Sequence, residues 1–249
     1  MSINLSGKEI LVIGSNGLLG KRLCHELLNQ GAYIYAADID SQRTNSLKNI
    51  KNINTVDLDI NNEDAIIDFF MKNKGIDGAV NCAYPRNLGY GRSFFDVKID
   101  DFNDNICMNL GGAFLFSRCC ARYFLESSKN FSLVNISSIY GVMTPRFEIY
   151  NSTTMTMPVE YAVIKSALIH LNRYIVSFVN SSDFRINSVS PGGIFDNQDK
   201  KFVDQYRNFS LGKGLLDPKD ICGAIIFLLS DHSQYINGQN IIVDDGFSL

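Results

Sequence analysis

Tyr161 and Lys165 stand four residues apart at the start of an apolar-periodic stretch, 162–179, that reads as a helix. That spacing puts both on one helical face, where a phenol and an ammonium can act on the same small volume. A free phenol titrates near ~10 and is a poor base at neutral pH. A fixed cation beside it favours the phenolate and lowers that value. The two residues are therefore a candidate proton-transfer pair. The bland alternative is a half-buried ring beside a snorkelling lysine.

A second constellation lies near the start of the chain. Gly14-Ser15-Asn16-Gly17-Leu18-Leu19-Gly20 follows a strand-like run and precedes a helical one. In that context backbone N–H groups can approach a pyrophosphate closely. The next strand-like run ends at Asp38, 18 residues after Gly20. This is close to the spacing of a carboxylate that accepts from an adenine ribose. Such a carboxylate would repel a 2′-phosphate, and Ile39 rather than an arginine follows it, the nearest arginine being Arg43. NAD is expected over NADP. The alternative makes Asp38 a helix N-cap, a task Asp40 or Ser41 could share, and the glycines turn-formers.

These residues need a scaffold that brings them together. Strand-like runs at 9–13, 32–37, 55–58, 78–82, 132–136, 185–189 and 240–243 alternate with helical patterns. The helical patterns cover 17–29, 62–72, about 101–127, 160–180 and 218–229. Strand–helix alternation of this kind predicts an α/β fold: a doubly wound parallel sheet of about seven strands, helices on both faces, in three layers. Ligands then bind outside the carboxyl ends of the strands. No repeat or low-complexity linker divides the chain, so residues 1–249 are expected to form one domain.

Composition narrows the class. Hydrophobic residues make up 45%, enough for a sizeable core, and 20% charged residues suit a water-facing surface. A net charge of −3 gives no electrostatic footprint for nucleic acid or an anionic membrane. No apolar run approaches the ~20 residues of a membrane span, and the N-terminus lacks a signal-peptide pattern. A cytoplasmic location is the expectation. Six cysteines and three histidines show no metal-ligand spacing, so no metal site is expected.

Taken together, these motifs resemble the short-chain dehydrogenase/reductase family over nearly the whole chain. The resemblance also rests on Asp57 after the third strand and on Asn81-Cys82-Ala83 after the fourth. It extends to Asn109, to Val134-Asn135-Ile136-Ser137-Ser138 and to Asn187-Ser188-Val189-Ser190-Pro191-Gly192. It implies a Rossmann fold and hydride transfer between an alcohol or carbonyl and a nicotinamide. Tyr161 would move the proton, Lys165 would lower its pKa and bond the nicotinamide ribose, and Asn109 would hold a water. Ser138, with Ser137 as the alternative, would hydrogen-bond the developing oxyanion. Implied cofactor contacts are Gly14, Asn16, Gly17, Leu18, Leu19, Gly20, Asp38, Ile39, Asp57, Leu58, Asn81, Cys82, Ala83, Lys165, Pro191, Gly192 and Ile194. The sequence departs from the family in its glycine spacing, in Tyr84 where a glycine is usual, in Asp196 where a threonine is usual, and in a wider Ser138-to-Tyr161 interval.

Three stretches, 84–98, 139–160 and 193–216, are candidate substrate loops. The first two carry Tyr84, Arg86, Tyr90, Arg92, Tyr140, Arg146 and Tyr150. Arginine can clamp a carboxylate or phosphate through two N–H groups, and tyrosine can stack on a sugar. Tyr84, Arg86, Tyr140, Arg146 and Tyr150 are the candidate substrate contacts, for an anionic sugar-type small molecule. The competing reading has the arginines solvated or paired with Asp96 or Glu148. The loop sequences resemble the flagellin-modification branch of the family, associated with legionaminic-type nonulosonic acids. That implies a sugar, nucleotide-sugar or nonulosonic-acid substrate. Alternatives are a nucleotide-sugar epimerase or dehydratase with retained NAD, for which the 58 residues after Pro191 leave little room, and a non-catalytic NAD-binding regulator. The family also implies a homodimer or homotetramer through the helices near 101–127 and 160–180, with Phe114, Phe116, Ile169 and Phe178 as candidate contacts.

Overall fold

Alternation of apolar side chains along the strands decides the layering. In β1 (Glu9–Ile13), Ile10 and Val12 belong to one buried cluster and Leu11 and Ile13 to another. This is the period of two that a strand covered on both faces requires. β2 (Tyr33–Asp38), β5 (Phe131–Ile136) and β6 (Phe184–Pro191) divide their apolar residues in the same way, and β4 (Ile76–Asn81) does so after a register shift near Ile76. The computed structural model describes residues 3–40, 46–127 and 129–249.

With β3 (Ile53–Asp57) and β7 (Asn240–Val243), the strands form one parallel sheet in the order 3-2-1-4-5-6-7. One face is covered by α1 (Leu18–Asn29) and α7 (Pro218–Leu229), through Leu23, Leu27, Ile221 and Ile225. The other is covered by α2 (Glu63–Lys72), α4 (Gly112–Ser127) and α5 (Val159–Val179), through Phe70, Phe116, Phe124 and Ile175. The expected three-layer Rossmann architecture is present. Chain order reverses between β1 and β4, and a ligand crevice opens at such a switch point.

Three details differ from the sequence reading. The long helix expected near 101–127 is α3 (Ile99–Ile106) joined to α4 by a π-turn, Cys107–Gly111. Such a turn inserts one residue into the helical ladder and is frequent at functional sites. A short helix, α6 (Lys200–Arg207), was not expected; its Phe202 and Tyr206 are both buried, four residues apart on one face. Finally, α5 is long and apolar enough to cross a membrane by length and composition. Its buried face nonetheless carries Glu160, Lys165 and Asn172, and it packs on the sheet. Phe116, a candidate oligomer contact, lies wholly in the core, Ile169 is half-buried, and Phe114 and Phe178 are exposed.

A third, smaller core holds the substrate side. Ile139, Tyr140, Ile149, Phe202, Tyr206, Leu215 and Phe247 form it, with Met155, Met157 and Tyr161 packed against it. Phe247 stacks on Tyr206 with ring centroids 4.1 Å apart. The last turn of the described chain thereby braces the wall behind the Tyr161 helix.

Candidate active site

A cleft of about 1210 Å³ runs along the carboxyl edge of the sheet. Its cofactor half is shaped by glycine. Gly14 has φ +77, and a Cβ there would meet the backbone of Cys82 and Ala83 at 2.8 Å. A Cβ on Gly20 would meet the Gly14 carbonyl at 2.2 Å. The loop can close onto β4 and α1 only without those side chains. Gly17 caps α1 with no side-chain acceptor on the first helical N–H groups, and no acid stands in the first turn. Those N–H groups and the helix dipole favour a phosphate. Ser15 Oγ and Asn16 Oδ1 are buried without a partner at the same loop. Asp38 Oδ2 accepts from Asn16 N at 2.9 Å, fixing the carboxylate at the end of β2 against the loop. These residues fit a dinucleotide: pyrophosphate at the loop and α1, adenine ribose at Asp38. Arg43 and Ser41 lie outside the described residues.

The candidate proton-transfer pair, Tyr161 and Lys165, lies where the end of β5 meets α5. Ser137 and Ser138 end β5 in different directions. Ser137 Oγ donates to the Lys165 carbonyl at 2.7 Å and so anchors α5. Ser138 Oγ accepts from Tyr140 N at 3.2 Å. Burial pushes the Tyr161 phenol up, and the neighbouring Ser138 hydroxyl offsets part of that rise. Lys165 differs from the sequence expectation. Its Nζ donates to the Ile136 carbonyl at 2.7 Å and lies 5.7 Å from the centre of the Tyr161 ring. The main-chain bond fixes the ammonium beside the Tyr161 ring. Burial lowers Lys165 from its ordinary 10.5 to about 8, against a small upward pull from Cys82.

The cleft is lined by Gly14, Asn16, Gly17, Leu18, Leu19, Gly20, Asp38, Ile39, Leu58, Cys82 and Ala83. It also brings together Tyr84, Arg86, Ser138, Tyr140, Tyr150, Tyr161, Lys165, Pro191, Gly192 and Ile194. Four expected residues lie elsewhere. Asp57 opens into a separate groove with Tyr35, Phe69 and Lys72, because strand alternation turns it away from the crevice that Leu58 faces. Asn81 is buried in a chain of amides, donating to Asn135 Oδ1 at 3.2 Å, and its own Oδ1 accepts from Ala83 N at 3.1 Å. It shapes the cofactor loop from behind. Asn109, in the π-turn, donates to the Pro85 carbonyl at 3.3 Å, so its amide is committed to the loop after β4.

Arg146 departs furthest from expectation. Its guanidinium donates to the Leu249 and Phe247 carbonyls, at 3.1 and 3.4 Å, and lies over the Phe209 and Phe247 rings. Those contacts use it to tie the 139–160 loop to the last turn, away from the cleft. Arg92 pairs with Asp101, not with Asp96. The cleft also contains Asp59, Asn61, Met108, Met155, Met157, Gln198, Phe202 and Tyr206, which the sequence reading missed. Phe202 and Tyr206 had a readable signal in their four-residue spacing; the methionines had none.

Comparisons agree with this geometry. A family model described as enoyl-(acyl carrier protein) reductase matches residues 15–248. The post-translational flagellin modification protein A of Campylobacter coli is 36% identical over 98% of this chain and all of its own length. A short-chain dehydrogenase from Leptospira borgpetersenii, solved with bound NAD+, superposes with a TM-score of 0.87 at 31% identity, covering 98% of this chain and 94% of that one.

This chain belongs to the short-chain dehydrogenase/reductase family. It is an NAD(P)-dependent oxidoreductase acting on CH–OH groups. A more distant relative, the 3-oxoacyl-[acyl-carrier-protein] reductase FabG of Thermotoga maritima, is 28% identical over 98% of this chain and 99% of its own. The dehydrogenase/reductase scaffold is thus shared with proteins of different names, and the residues around the pair distinguish this member.

Proposed function

We propose that this oxidoreductase transfers hydride between NAD(H) and a secondary alcohol or ketone of an anionic sugar-type substrate, in the modification of flagellin or another surface glycan. The bound nicotinamide supplies the hydride chemistry. Tyr161 takes the proton from the alcohol or returns it to the ketone. Ser138 donates to the oxygen as negative charge develops there. Lys165, beside the ring and cationic below about pH 8, favours the phenolate and bonds the nicotinamide ribose. Asn109 steadies the loop beside them through the Pro85 carbonyl. The supporting observation is that Ser138, Tyr161 and Lys165 meet in the same cleft as the glycine cradle, with the Ser138 hydroxyl near enough to lower the Tyr161 pKa.

NAD is proposed over NADP because Asp38 stands where a 2′-phosphate would come, and a carboxylate repels it. The surface-glycan assignment rests on the Campylobacter coli relative's name and full-length match. A homo-oligomer is proposed through the α4–α5 face, where Phe114, Tyr174 and Phe178 are exposed. The test is purified protein with NAD or NADP and a panel of sugar phosphates, sugar acids, nucleotide sugars and nonulosonic acids, followed by absorbance of the reduced cofactor. NADH should form with at least one sugar, with higher kcat/KM for NAD than for NADP. A preference for NADP would overturn the cofactor assignment. Tightly retained NAD with product but no net reduction would favour an epimerase or dehydratase.

A further inference from the structure

Among the described residues two basic side chains line the cleft, Lys165 and Arg86; Lys165 bonds the Ile136 carbonyl and is assigned above to the nicotinamide ribose. Arg86 makes no ion pair or hydrogen bond among the described residues. Its guanidinium lies over the Tyr84 ring, 5.6 Å from guanidinium carbon to ring centre. A cation–π contact of this kind takes up no hydrogen-bond acceptor, so the N–H fork of the guanidinium is not committed by it. The other two arginines of these loops are occupied elsewhere, Arg92 by Asp101 and Arg146 by the carbonyls of Phe247 and Leu249.

The backbone on both sides of Arg86 is pinned. Asn109 holds the Pro85 carbonyl, and Asn105, wholly buried, accepts from Asn87 N at 3.0 Å and donates to Asn87 Oδ1 at 3.1 Å. The Arg92–Asp101 pair closes the same loop onto α3. An arginine with a fixed base and an open fork is pre-organised for an oxyanion.

Its position says where that anion lies. The Tyr84 ring is shared: Lys165 Nζ lies 5.4 Å from its centre, and the Tyr161 ring meets it edge-on at 5.5 Å. Arg86 and the proton-transfer pair are thus separated by one aromatic ring. The acids Asp38, Asp40 and Asp59 line the cleft on the opposite side, beyond β2 and β3. Asp196 is the remaining acid in the lining, and it is exposed. The cofactor pyrophosphate has its own place at Gly17 and α1, so Arg86 is left for the substrate.

We infer that Arg86 is the substrate's anion-binding residue, and that the anion is a carboxylate or phosphate carried within one sugar ring of the carbon that exchanges hydride. Tyr84 forms the wall between the two points. The inference rests on the proposed hydride-transfer reading of the cleft and adds a requirement to it.

Calorimetry on the NAD-loaded protein tests it, with gluconate, glucose 6-phosphate, inorganic phosphate and neutral glucose as probes. At least one anionic sugar should bind more tightly than glucose by roughly tenfold to a hundredfold, the range for charge-assisted hydrogen bonds. Arg86→Gln should erase that difference with NAD affinity unchanged, while Arg146→Gln should keep it. Which sugar gains separates carboxylate from phosphate. Anionic probes binding no better than glucose would overturn the inference. So would a preference that survives Arg86→Gln, or an Arg86→Gln variant that loses NAD affinity in step. Binding is read without turnover, so a protein that binds anions through Arg86 yet oxidises no sugar would instead overturn the hydride-transfer reading.

Discussion

The two halves of the cleft are built by different means. The cofactor half is made of short-range constraints: a strand, a glycine turn, a helix start and an acid at the end of the next strand. The substrate half is made of long-range contacts. Tyr140, after β5, and Tyr206, on α6, meet Phe247 from parts of the chain far apart, and Arg146 reaches more than a hundred residues forward to the last turn. The first half is rigid because no side chain fits in it, the second because aromatic side chains fill it. The first carries chemistry common to the family and the second carries what is particular to this member.

That contrast can be broken at several points. Removing the Ser138 hydroxyl strikes the chemical centre. Ser138→Ala is expected to lower kcat by about 10²–10³-fold, as loss of an oxyanion donor does, with NAD affinity unchanged by titration. If both fell together, the serine would be part of the fold of the cofactor half. Next in size is Phe247→Ala. Phe247 is wholly buried and stacked on Tyr206, so truncation should cost about 3 kcal/mol in denaturant unfolding. Substrate KM should rise more than the KM for NAD. An equal rise in both would mean that the two halves are not separately supported.

A third test uses pH. Lys165 is depressed to about 8, so its ammonium is present below that value and lost above it. The kcat profile should therefore fall on the alkaline side of about pH 8, by about tenfold per unit at its limit. For stability the sign is opposite. Between about 8 and the ordinary 10.5 the unfolded chain binds more protons than the folded one, so this group's contribution to stability rises with pH. A rate that stays level through pH 10 would remove Lys165 as the group in control. The smallest effect belongs to Arg146→Ala. Losing two carbonyl bonds and a stacked cation should cost about 1–2 kcal/mol while leaving NAD affinity intact; a loss of anionic-substrate selectivity there would return Arg146 to the cleft.

How much was legible in the sequence follows the same division. Gly14, Gly17, Gly20 and Asp38 were readable because their roles depend on neighbours a few residues away. Tyr161 and Lys165 were readable because a helix turns their spacing into a shared face. Asp57 was misplaced by one step of strand alternation, which decides whether a side chain meets the crevice or the groove beside it. Arg146 was misassigned because a loop arginine reads the same whether it clamps a ligand or a distant carbonyl. Asn109 was expected at the pair and instead bonds the Pro85 carbonyl from a π-turn that helical periodicity does not announce. Met155, Met157 and the buried amides Asn135 and Asn172 reach their places through tertiary packing alone.

The central claim is that hydride transfer in this cleft depends on a proton moved at the Tyr161 oxygen. Turnover and NAD binding measured side by side in wild type and Tyr161→Phe test it most directly. Tyr161→Phe is expected to lose at least about 10²–10⁴-fold in kcat, the usual worth of a positioned proton-transfer group, while binding NAD as wild type does. Turnover in Tyr161→Phe equal to wild type, with the same substrate and cofactor, would contradict the account.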